Sequence, residues 1–142
     1  MGQHFKVHPI NPQLRLLNLR GEPVAPDDPI AYFASEVRAG RIGALKGLGG
    51  YHLVCDARNE VAVQELRRRK HRDEKPLAIM VRDLDAARQI CQIDSVEEQL
   101  LLSPRAPIVL LRRRTPSAVA ESVAPGNPLL GVMVPYTPLH HL

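Results

Sequence analysis

The chain reads as a mixed α/β fold, a twisted sheet with helices packed on it. Short apolar runs are bounded by glycine and proline, segments with helical apolar spacing lie between them, and the two kinds alternate along residues 28–134. With 142 residues, 44% apolar and 24% charged, the chain can bury one domain's core. No Trp and only 4% aromatics mean that this core is chiefly Leu, Val, Ile and Ala.

Residues 1–27 read as an irregular lead-in, because Pro9, Pro12, Pro23 and Pro26 interrupt any long element. Within it, residues 14–19 could form a short edge strand, closed by a turn at Arg20-Gly21-Glu22. The main domain spans residues 28–142. Asp28 before Pro29 is an N-cap with proline in the first turn. Ile30, Phe33, Ala34 and Val37 then share one helical face, and Gly40 ends the helix. Residues 42–46 read as a buried strand, 47–50 as a tight glycine turn and 51–55 as a second strand.

Asn59 is positioned to cap a helix reaching Arg69, with Val61, Ala62, Val63 and Leu66 inward. Residues 76–81 form the next strand, and Asp83 caps a short helix through Ile90. Ser95 with Glu98 gives a capping box for a helix through Leu102. Residues 107–111 are a strand, 113–128 a loop rich in Pro, Ser and Gly, and 130–134 the final strand.

A net charge of +4 and a pI near 9.4 point to an anionic partner. The positive charge concentrates in Arg67-Arg68-Arg69-Lys70-His71-Arg72 and in Arg112-Arg113-Arg114. Such runs are solvated helix ends, nucleic-acid patches or phosphate sites, and composition does not choose. No apolar run reaches the roughly 18–20 residues needed to span a bilayer, so no membrane partner is expected. The start has no secretory signal, and Lys6 stands where a myristoylation signal has Ser or Thr. Cys55 and Cys91 are too few for a zinc site or disulfide framework and read as buried free thiols, which fits a cytoplasmic location.

Arg67 and Arg68 are expected to face solvent near the helix's negative end. Lys70, Arg72 and Lys75 differ, because they continue past the helix into a loop that leads straight to an apolar strand. Three cations on such a loop can hold phosphate, although a solvated loop is the competing reading. Lys46-Gly47-Leu48-Gly49-Gly50 matches neither glycine-rich phosphate pattern. Its glycines make a tight turn or admit a ligand close to the backbone. Asp56 reads as a turn carboxylate, and Arg105 is one cation ahead of a strand. His140 and His141 point to opposite faces if extended, so no metal site is expected.

Four ordered segments resemble one family. They are Lys46 through Ala57, Arg69 through Val81, Ser103 through Leu111, and Leu130-Gly131-Val132-Met133-Val134-Pro135-Tyr136-Thr137-Pro138-Leu139-His140-His141-Leu142. Together they are similar to the YrdC-like domain of HypF-type hydrogenase-maturation carbamoyltransferases. The resemblance implies a YrdC-like fold and an ATP-dependent chemistry. Carbamate, released from carbamoyl phosphate, is activated as carbamoyl-adenylate, and the carbamoyl group passes to HypE for the cyanide ligands of the nickel–iron site. ATP and Mg²⁺ are the implied cofactors. Lys70 and Arg72 match the family's K-x-R pair on the triphosphate, with Lys75 as a third contact. Arg105 would reach carbamate or the α-phosphate. Lys46, Gly49, Gly50 and Tyr51 would shape the pocket, with His140 near the substrate.

The family's pattern continues past the final segment into a Ser-x-Asn motif, so the resemblance implies a single domain incomplete at its C-terminus, whose exposed sheet edge invites homodimerisation. Two other readings stand beside it. A stand-alone threonylcarbamoyl-AMP synthase, serving tRNA modification, would carry Pro-Thr-Asp-Thr-Val-Tyr-Gly-Leu where this chain has residues 46–53. A basic RNA-binding module, including one for double-stranded RNA, is the third, although few aromatics lie near the basic runs to stack bases.

Overall fold

The computed structural model describes residues 4–5, 14–47 and 49–135. The α/β class holds, with β1 (His4–Phe5), β2 (Leu16–Leu17), β3 (Pro23–Val24), α1 (Pro29–Arg38), β4 (Gly43–Gly47), β5 (Gly50–Val54) and α2 (Glu60–Lys70). They are followed by β6 (Ala78–Met80), α3 (Leu84–Ile90), β7 (Cys91–Gln92), α4 (Ser95–Leu101), β8 (Val109–Arg113) and β9 (Leu129–Met133). The chain divides into two compact units, Met1–Lys70 and His71–His141. No helix among the described residues is long and apolar enough to cross a membrane.

The first unit holds a sheet in the order β3-β2-β1-β4-β5, parallel between β1 and β4 and antiparallel elsewhere. The expected edge strand is thus an inner one. Leu16 pairs with Phe5 on one side and Val24 on the other, and its side chain is buried. Asp28 caps α1 by accepting from the backbone N–H of Ile30 and Ala31 at 3.1 and 3.0 Å. That helix lays Phe33 directly on β4, where a Cβ at Gly43 would overlap the ring. Asn59 caps α2 as expected, its Oδ1 accepting from Ala62 N at 3.0 Å. Val61, expected inward, is 77% exposed, because the buried face of α2 runs through Ala62, Val63, Leu66 and Arg67.

The second unit holds a sheet in the order β6-β9-β8-β7. Val109, Leu111, Leu130, Val132 and Ile79 face its core, while Ile108 and Leu110 alternate outward. Helix α4 packs on β8 and α3 on β7. The capping box of α4 sits one residue earlier than the spacing suggests. Asp94 accepts from Glu97 N at 2.8 Å and Glu97 accepts from Asp94 N at 2.8 Å. Asp94 and not Ser95 is the N-cap, and its negative carboxylate also sits favourably at the positive end of the helix dipole. The expected loop at 113–128 is better described as a packed segment. It buries Val119, Ala120, Val123 and Ala124, and Val123 O accepts from Leu77 N at 2.9 Å.

Candidate anion-binding site

In the first unit the glycine turn joins β4 to β5, with Lys46 and Tyr51 as Cα partners across the pair. Lys46 Nζ stands 5.5 Å from the centroid of the Tyr51 ring, a cation–π contact worth about 0.5–1 kcal/mol at such a site. Gly49 and Gly50 adopt φ of 94° and 139°, which L side chains rarely take. A Cβ at either glycine would meet nothing within 4 Å, so the space over the turn is open. The turn therefore requires glycine at both positions.

The basic run at the end of α2 resolves into different environments. Arg67 is only 7% exposed, which corrects the expectation that it faces solvent. It lies four residues after Val63 and one after Leu66, on the helix's buried face. Arg68 and Arg69 both bond Glu65, at 2.7 and 2.8 Å. Those bonds hold the Glu65 carboxyl down at about 2. Lys70 closes the helix and is exposed. Asp56 is the expected turn carboxylate. It accepts from Arg58 N at 2.9 Å and Arg58 Nε at 3.1 Å. Burial works to raise its pKa, but the Arg58 contacts outweigh this and hold it below the usual value.

The second unit opens with His71 at φ 50°. This left-handed residue separates Lys70 from Arg72, turning the chain out of the helix between the two cations. Arg72 is half-buried, whereas Lys75 is exposed ahead of β6. Arg105 is exposed in the connection between α4 and β8, and the residue after it, Ala106, has φ 43°. His71 and Ala106 are the non-glycine residues with positive φ among those described. Each costs on the order of 1 kcal/mol, and each adjoins an expected anion contact. Histidine visits the left-handed region more often than most non-glycine residues, so its type at position 71 is only a weak signal. At Ala106 no local signal exists, since the following Pro107 favours extended backbone and not the left-handed region.

The structure brings Lys46, Gly49, Gly50 and Tyr51 together in one hairpin. Lys46, Gly49, Gly50, Tyr51 and Lys70 belong to Met1–Lys70, whereas Arg72, Lys75 and Arg105 belong to His71–His141. His140 lies outside the described residues. Ammonium and guanidinium groups donate hydrogen bonds, which suits an anion and not a bare metal ion. The thiols take no visible part: burial pushes both Cys55 and Cys91 up to about 11, away from the reactive thiolate.

The model of the Sua5–YciO–YrdC family, described as "Telomere recombination", matches residues 35–142. The chain is 52% identical over 130 residues to carbamoyltransferase HypF2 of Cupriavidus necator, covering 91% of this chain and 16% of that protein. Thus it spans about a sixth of that relative's length. It also matches a crystal structure of full-length HypF in the phosphate- and nucleotide-bound form, with a TM-score of 0.78 and 43% identity over 83% of this chain and 16% of that one. Escherichia coli YciO shares the fold, with a TM-score of 0.72 and 23% identity over 99% of this chain and 63% of that one. With the family model spanning residues 35–142 and the same fold recovered in solved structures, the chain belongs to the Sua5–YciO–YrdC family.

Proposed function

We propose that this chain is the nucleotide-binding part of a HypF-type carbamoyltransferase, and that it activates carbamate with ATP. The observation that carries the reading is the 52% identity to a HypF carbamoyltransferase, in a chain with an open glycine turn and a strained Lys70-His71-Arg72 corner. A carbamate oxygen would attack the α-phosphorus of ATP, the bond to the β-phosphate bridge would break, and pyrophosphate would leave. Carbamoyl-adenylate would remain, for transfer to a protein acceptor, HypE in the HypF scheme.

Such a reaction needs little covalent chemistry from the protein, and most of the acceleration comes from positioning and charge neutralisation. Lys70, Arg72 and Lys75 would hold the triphosphate oxygens and favour charge moving onto pyrophosphate. Arg105 would serve the carbamate or α-phosphate. Lys46, fixed over Tyr51, would border the open turn at Gly49 and Gly50, with His140 assigned to the substrate side. Mg²⁺ would arrive on the nucleotide's phosphates, since these residues offer it no ligand.

The test is ATP–pyrophosphate exchange in the longer protein that contains this chain. Exchange should require carbamoyl phosphate and be lost with Arg72→Gln. Exchange driven instead by threonine and bicarbonate would reassign the protein to threonylcarbamoyl-adenylate synthesis.

A further inference from the structure

The second basic run, Arg112-Arg113-Arg114, plays no part in the proposed adenylation. It lines a cleft of about 820 Å³ in the second unit, with Gln92, Thr115, Ser117, Glu121, Gly126 and Asn127 among its walls. Arg112 lies on β8, held by pairing to Gln92 on one side and Leu129 on the other. Its side chain is exposed and makes no ion pair among the described residues.

The other two arginines are fixed in place. Arg113 Nη2 donates to Val119 O at 2.8 Å, its Nη1 pairs with Glu121 at 3.2 Å, and its side chain is only 12% exposed. Arg114 Nε donates to Arg88 O at 2.7 Å and to Cys91 O at 3.1 Å. Two guanidinium charges are therefore held without further loss of rotamer freedom on binding. Three arginines against one glutamate leave two net positive charges on the cleft.

Three side-chain oxygens of the wall each accept one backbone hydrogen bond. Ser117 Oγ accepts from Val119 N at 3.1 Å, Asn127 Oδ1 from Leu129 N at 2.9 Å, and Glu121 Oε1 from Gly126 N at 3.1 Å. What these side chains keep for a ligand is donors: the Ser117 hydroxyl, the Asn127 amide, the Thr115 hydroxyl and the Arg112 guanidinium. Among the described residues no aromatic side chain lines the cleft to stack on a base.

We propose that this cleft is a second anion site, separate from the Lys70–Arg72 corner, and that it binds a ligand through two or more linked phosphates. The arginine, hydroxyl and amide donors suit an oxygen-rich anion, and the two net positive charges match a phosphate better than a single carboxylate. The volume lies in the range of sites for whole ligands, larger than one orthophosphate requires. A free polyphosphate and a phosphodiester chain share this chemistry.

The test titrates the chain with inorganic tripolyphosphate at fixed ionic strength and follows backbone amides by NMR. Saturable shifts are expected at Thr115, Ser117, Gly126 and Asn127. Arg112→Gln, at an exposed position, should weaken this binding roughly tenfold, and Thr115→Ala less. Arg72→Gln should leave it unchanged, which separates this site from the adenylation reading. Displacement of tripolyphosphate from these amides by a short RNA duplex would assign the phosphodiester source, and failure to displace it would assign the free polyphosphate. Unmoved amides, or equal affinity in Arg112→Gln, would overturn the proposal.

Discussion

Replacing Gly43 with alanine tests the packing that holds the Lys46 strand. A Cβ at this position would overlap Cζ and Cε2 of Phe33 and lie 3.3 Å from Cε1. Phe33 is 3% exposed and has no open side to swing into, so strand or helix must shift, or the ring must leave the core. Overpacking of this kind costs about 1–3 kcal/mol. For a chain of this size that is roughly 3 °C in Tm per kcal/mol. Urea unfolding followed by circular dichroism should show a lower midpoint with an unchanged slope. Phe33→Leu alone should cost about 1–2 kcal/mol by leaving a gap. The double variant should lose less than the sum of the two, with a coupling of about 0.5–3 kcal/mol, because the shorter side chain makes room for the methyl group. A Gly43→Ala variant as stable as the parent, or strictly additive losses, would refute the Phe33–Gly43 contact.

Three further outcomes follow from the same structure. His71→Gly should raise stability by about 0.5–1 kcal/mol in thermal unfolding, since glycine takes φ 50° without strain and loses only part of that gain to its freer unfolded chain. No gain would mean that His71 is not left-handed. Cys55 and Cys91, both pushed up to about 11, should react slowly with iodoacetamide at pH 8 until urea unfolds the chain. Fast labelling of the folded protein would contradict their burial. The Glu65 carboxyl should titrate at about 2 by NMR, below its ordinary 4.5, so its pairing with Arg68 and Arg69 stabilises the fold above pH 4.5 and is lost as pH falls to about 2. Being exposed, the contribution should shrink further in high salt, and a titration near the ordinary value would show the pairing absent.

The sequence carried most of the element order because its caps and punctuation are local. Asp28-Pro29, Asn59 and Asp83 each bond the helix they were expected to start. Misreadings came where tertiary packing outweighed residue type. Arg67 is charged, yet the phase of α2 set by Val63 and Leu66 turns it inward. Leu16 looks like an edge residue until strands from both sides flank it, a pairing that no local pattern encodes. The segment around Val119 and Val123 has the composition of a loop but fills core space. At the candidate site, residue types and the glycine turn were legible. The left-handed geometry at His71 and Ala106, and the Lys46–Tyr51 contact, required the fold.

The proposed function assigns Lys70 and Arg72 to nucleotide phosphates. Its most direct test is isothermal calorimetry of Mg·ATP into this chain and its Arg72→Gln variant, with Arg68→Gln as a control on the paired side of α2. Saturable binding is expected, which Arg72→Gln weakens by roughly tenfold or more while Arg68→Gln leaves it within about twofold. Equal affinity in the parent and Arg72→Gln, or no binding to the parent chain, would contradict it.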